Sequence, residues 1–365
     1  MSLSSRHQED LLLEEMKSRP IILMGEASHG SKEFHEDRIF LTQRLLREQE
    51  DSAPFIALEW DWSDCARLNR YVHGRDPHLT AKDVLLTFSR WPQWMWANEE
   101  VATFIEWLRR ENTLRKQKVS IYGVDLFGLQ RLISETPSIS AFFEECRLNP
   151  SNNEQHLTPP CLEELLHMPF SSSLSQSKEL YNISQLQKYV QIDDNNAWNF
   201  REQHMFNVFS HLLKKHGRGI FWGHNTHVGN AFFSEMKNQG LQSLSSLLIE
   251  SYGSDNVFTL GGATFEGTVL AGVKWGGPTR IMTVPPAPPE SWEYLWHQES
   301  PFFSKIIYPF DFPRQNRGLR AIGAVYSPET DFQQFIPTTL PGRFDAMLYF
   351  EITSALHPLS TRFSS

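Results

Sequence analysis

The chain has 365 residues, enough for one large domain with a sizeable core, and its 40% hydrophobic and 21% charged content is ordinary for a globular protein. A net charge of −9, with no basic block or basic-aromatic stripe, argues against a nucleic-acid partner. Apolar runs stay well short of a membrane span, the acid-flanked amino terminus reads as neither signal nor transit peptide, and three Cys without a C-x-x-C imply no disulfide framework, so no membrane partner and a cytoplasmic location are expected.

In chain order, IILMGEASHGSKEFHEDR at 21–38 reads as strand, turn and helix, the helix running from about 29 to 48. The strand breaks at Gly25 and delivers Glu26 and His29 to its carboxyl end, where open α/β sheets bind ligands. Two readings stand. A carboxylate beside an imidazole fixes its tautomer and builds a general base. Alternatively Glu26 caps the following helix and His29 is a solvated first-turn residue.

PFIALEWDW repeats the pattern, with an apolar run at 54–58 followed by Glu59, Trp60 and Asp61. Helical stretches are expected at 62–74 and 83–89, the second stopped by Pro92 within WPQWMW. That Trp cluster reads as core, with one face, Trp94 included, available to line a cleft. Val101, Phe104, Ile105 and Leu108 have helical spacing, and KVSIYGVD is a third strand closing on Asp125.

Residues 134–190 are rich in Pro and Ser and read as a variable lid. A helix at 198–215 holds Arg201 and His204, and GIFWGHNTHVGNAFF gives a fourth strand ending in Gly223, His224 and His227. Further strands are expected at 257–262, 279–284, 320–326 and 343–351, with a helix beginning near Ser291.

Parallel strands would gather Glu26, Glu59, Asp125 and His224 into one crevice, with Arg38 and Arg201 suited to an oxyanion or carboxylate. This inventory is hydrolase-like without a G-x-S-x-G nucleophile, and Ser28 fits a cap better than a nucleophile. Water activated by His29, with Glu26 or Glu59 behind it, ranks first. The rival is a metal held by His29, the H-x-x-H of His224 and His227, and a carboxylate.

Seven segments in order resemble the erythromycin esterase family: GEASHGSKEFHEDR, LEWDW, RWPQWMWANEEV, IYGVDLFGL, AWNFREQHM, FWGHNTHVGNA and FDAMLYFEITSALHPL. The resemblance runs nearly end to end. It implies an α/β fold in one domain, with a mixed β-sheet core flanked by helices and a helical lid portion over an open cleft. It also implies metal-independent hydrolysis of an ester or macrolide lactone, with no cofactor. His29 would then activate water and Glu26 and Glu59 would orient it, while Arg38, Arg201, His224 and His227 complete the site and Asp61 and Trp94 contact substrate. The 134–190 segment looks short for the family, and Gly223 and Gln203 stand where Ala and a charged residue are more usual. A non-catalytic iron- or haem-binding protein using the same His and Glu residues is the alternative.

Overall fold

The computed structural model describes residues 3–48, 54–88, 90–126, 194–299, 305–312 and 314–359. The lid expected at 134–190 lies outside the described residues.

Strand β1 (Ile21–Met24) is four apolar residues, all buried, and it runs through the middle of an eight-stranded sheet. Around it lie β2 (Phe55–Asp61), β3 (Ser120–Asp125), β4 (Gly219–Trp222), β5 (Val257–Gly272), β6 (Thr279–Val284), β7 (Lys305–Ile307) and β10 (Ala346–Thr353). The order is β3-β2-β4-β1-β5-β10-β7, with β6 on β5. Pairings from β3 through to β10 are parallel, and β7 and β6 add antiparallel edges. A separate antiparallel pair joins β8 (Asn316–Arg320) to β9 (Phe335–Thr339).

Side chains alternate across a strand, so each strand feeds two cores. Ile22, Met24, Ile56, Leu58 and Trp60 face a layer made by α1 (Leu3–Ser18), α2 (Lys32–Glu48), α3 (Trp62–Val72), α4 (Ala81–Leu85) and α5 (Glu99–Leu114). Ile21, Leu23, Phe55 and Ala57 face α6 (Asp194–His216), α8 (Leu244–Tyr252) and α9 (Trp292–Glu299). A one-turn helix, α7 (Asn225–Val228), follows β4. With both faces covered, near-continuous apolar strands are what a parallel sheet requires. Among the described residues no helix is long and apolar enough to cross a membrane.

Register sets up the site. Met24 pairs with Trp222 and Leu58 pairs with Trp222, so β1, β2 and β4 reach the same level side by side. The residues just beyond are Glu26, Glu59 and His224. Asp125 closes β3 opposite Asp61.

Beyond shifts of a few residues at element ends, such as Ala81–Leu85 for the helix expected at 83–89, the expected elements differ from the structure in three places. Helix α2 begins at Lys32, because residues 25–31 form a turn-containing loop pinned by bridges from Ser28 to Ile322 and from Ser31 to Ala355. His29 is therefore a loop residue, not a first-turn residue. Strand β5 runs ten residues past its expected end, since the antiparallel partner β6 continues the ladder. At 320–326 the ladder stops at Arg320, and Ile322 and Val325 make isolated bridges to Ser28 and Gly272 instead.

Candidate active site

Glycines let the His29 loop sit where it does. A Cβ on Gly25 would lie 2.4 Å from Asn225 Oδ1, and one on Gly30 would lie 1.8 Å from the Leu270 carbonyl oxygen, so the loop is wedged against α7 and β5 as only glycine allows. Within it, Ser28 Oγ accepts from the Gly30 N–H at 3.2 Å and lies 2.9 Å from Ser31 Oγ. Ser28 thus shapes the turn.

His29 Nδ1 lies 2.8 Å from Glu26 Oε1, and Arg38 donates to Glu26 Oε2. The carboxylate must be the acceptor, so Nδ1 carries the proton and the lone pair sits on Nε2. Burial would raise the Glu26 pKa, but Arg38 and His29 outweigh it and hold the carboxyl at about 2. His35 approaches the same oxygen at 3.6 Å, and burial with Arg38 beside it pushes its pKa down to about 3. Arg38 lies under Glu26 and is 1% exposed, its guanidinium 5.5 Å from the Trp222 ring centroid. In this structure it supports the carboxylate.

A second ionic frame stands beside the first. Arg201 donates to both oxygens of Asp125, from Nε at 2.9 Å and Nη2 at 2.8 Å, and Nη2 also reaches Glu59 Oε1 at 2.8 Å. Glu59 Oε1 lies 3.0 Å from His227 Nε2, and Oε2 accepts from the His224 backbone N–H at 2.8 Å. The other His227 nitrogen, Nδ1, meets Glu202. Burial would lower the His227 pKa, but Glu202 and Glu59 on either side raise it to about 9. His227 is therefore a cation near neutral pH, and its 3.3 Å approach to Arg201 Nη1 is a contact between donors, not a hydrogen bond. Trp198 stacks on its ring at 5.0 Å, a cation-π arrangement. Burial would likewise raise Glu59, yet His227, His29 and Arg201 hold it well below the usual carboxylate range.

His224 is different. Its Nδ1 accepts from the Thr226 backbone N–H at 3.4 Å and lies 2.9 Å from Thr226 Oγ1, so the proton resides on Nε2. That Nε2 is buried and without a hydrogen-bond partner. Burial and the neighbouring His29 push the pKa down to about 3, keeping the ring neutral. The His29 and His224 rings are 4.9 Å apart. A lone pair and an N–H donor therefore come from neighbouring rings.

The structure gathers Glu26, His29, Arg38, Glu59, Arg201, His224 and His227 at the strand ends. Glu59 does not touch the His29 ring; it holds the His224 backbone and His227. Asp61 Oδ1 caps α3 by accepting from Asp64 N at 2.9 Å, while Oδ2 is buried without a partner. Burial, partly offset by Arg90, pushes the Asp61 pKa to about 7. Trp94 is 4% exposed and belongs to the α2–α5 core, so packing accounts for it better than substrate contact. His227 has both ring nitrogens on carboxylates and no lone pair for a metal, and among the described residues no group of three His, Cys, Asp or Glu side chains is placed to hold one. Sequence reasoning missed Glu202, which pairs with His227 and accepts from the Leu244 N–H at 2.6 Å at the start of α8. The available signal was an acid directly after Arg201.

The sequence profile described as erythromycin esterase matches residues 50–145 and 171–353. Among solved structures, a succinoglycan biosynthesis protein is 19% identical with a TM-score of 0.72, over 96% of this chain and 92% of that one. A Bacillus cereus protein is 18% identical with a TM-score of 0.71, over 98% and 94%. A mutant of the erythromycin esterase EreC in its open conformation is 15% identical with a TM-score of 0.63, over 96% and 94%. At such identities these likenesses concern the fold.

Proposed function

The chain belongs to the erythromycin esterase family, and we propose that its site hydrolyses a carboxylic ester, a macrolide lactone among the candidates, through water activated by His29. The observation that carries this reading is the Nδ1 contact of His29 with Glu26 at 2.8 Å, which leaves Nε2 as the base. Water gives a proton to Nε2 as its oxygen bonds to the ester carbonyl carbon. The oxyanion accepts from the unpaired Nε2–H of neutral His224. Collapse breaks the bond to the leaving alkoxide, and His29 returns the proton to it, yielding acid and alcohol.

The other residues position these two rings. Arg38 keeps Glu26 ionised, and the frame of Arg201, Asp125, Glu59, His227 and Glu202 fixes the His224 backbone. No covalent acyl intermediate is needed, which suits a site whose serine, Ser28, is buried in turn-making bonds. No feature of the described residues favours the iron- or haem-binding alternative.

The test is mass spectrometry of p-nitrophenyl acetate and of erythromycin incubated with wild-type and His29→Ala protein. Cleavage of the acetate ester by the wild type alone supports the esterase reading, and gain of one water by erythromycin extends it to a lactone. Equal products from both proteins, or none, contradict it.

A further inference from the structure

The β5–β6 hairpin carries a large ring that the fold leaves in solvent: Trp275 is 69% exposed. Trp is enriched at interfaces, where one end of the ring is apolar and the other wet. Trp275 is held. Its ring meets Trp91 edge-on with centroids 4.7 Å apart, and Trp91 Nε1 donates to the Gly277 carbonyl at 3.1 Å, on the same hairpin. A Cβ on Gly272 would lie 2.6 Å from the Trp91 ring, so hairpin and Trp-rich loop are packed as one piece. Val273 and Val325, 43% and 37% exposed, extend the apolar surface, and Val325 bridges to Gly272.

Both members of the Trp pair lead back to the site. On the hairpin, the Leu270 N–H donates to the Gly30 carbonyl at 3.0 Å, directly beside His29. Trp275 lies five residues further along, about 17 Å at most at strand rise. On the loop, Trp91 leads to Trp96, whose Nε1 donates to the Glu59 carbonyl at 3.3 Å and whose ring lies 5.8 Å from the Arg38 guanidinium.

We propose that Trp91 and Trp275 form a rim subsite for a long apolar portion of the ester whose carbonyl sits at His29. The nature of the scissile bond rests on the esterase reading; binding of the apolar portion does not.

The test is calorimetric titration of p-nitrophenyl decanoate and p-nitrophenyl acetate into His29→Ala protein, with and without Trp275→Ser. The decanoate is expected to bind about tenfold tighter or more than the acetate. Trp275→Ser should remove most of that preference, and Trp275→Phe should restore it. Equal affinity for the two esters, or a preference that survives Trp275→Ser, overturns the subsite. Turnover of the acetate by wild-type protein reports separately on the esterase reading: no turnover with the decanoate preference intact removes that reading and leaves the subsite standing.

Discussion

Glu26 serves two partners at once, holding His29 Nδ1 at 2.8 Å with one oxygen and the Arg38 guanidinium with the other. Arg38 supplies the charge that keeps Glu26 ionised in a fully buried position, and Glu26 passes this on to His29 as a fixed tautomer. The proposed base is thus built from three residues in one strand–loop–helix unit.

Glu26→Gln should therefore act on both links. We expect kcat to fall by about 10² to 10⁴, by analogy with the loss of a carboxylate behind a catalytic imidazole. Stability should fall by about 3–5 kcal/mol, since Arg38 is left as a buried charge without a counter-ion. Steady-state kinetics with urea unfolding checks both, and a folded variant with normal kcat would remove Glu26 from the mechanism.

His224→Phe keeps a ring of similar size and deletes the Nε2–H donor. The proposed oxyanion role predicts a drop in kcat of about 10² to 10³, with KM changed much less. A fall in affinity at unchanged kcat would instead make His224 a ground-state contact.

Stability should depend on pH from both sides. His227 has a folded pKa near 9 against an ordinary 6.5, so its contribution is complete below 6.5 and is lost as pH rises through 9, about 3 kcal/mol in all. His35 and His224, both held near 3, are buried neutral, so the unfolded chain takes up protons first as pH falls below 6.5. Glu26, held near 2 against an ordinary 4.5, adds its loss between those values. Urea midpoints measured from pH 7 to 10 should fall as pH rises, and His227→Gln should flatten that alkaline limb. An alkaline limb unchanged by His227→Gln would refute the assignment.

Arg201→Lys retains the charge but cannot span Asp125 and Glu59 together, because an ammonium lacks the planar fork. A loss of about 1.5–3 kcal/mol is expected, the usual worth of a hydrogen bond to a charged group, together with reduced kcat as His224 loses its support. Thermal unfolding that matches wild type would show that a point charge suffices.

Much of this arrangement was legible in the sequence because it is local. Strands β1 to β4 each carry an apolar run that leads into Glu26, Glu59, Asp125 or His224, and a parallel sheet brings such ends to one edge. What the sequence could not show is which atom meets which. Glu59 spends one oxygen on the backbone of His224, 165 residues away, and the other on Arg201 and His227. Glu202 was missed because its role depends on α6 presenting it to α7 and α8. Arg38 and Trp94, expected at substrate, are both buried, one beneath a carboxylate and one in a core, a placement that residue type alone does not reveal. The strand expected at 320–326 failed for a related reason: its apolar residues pair singly with the His29 loop and the end of β5.

The central claim is that His29 Nε2 is the general base, and the most direct measurement is kcat for p-nitrophenyl acetate with wild-type and His29→Ala protein, each confirmed as folded by circular dichroism. The account predicts a fall of about 100-fold or more, the usual contribution of such a base. Wild-type turnover in the folded His29→Ala variant would contradict it.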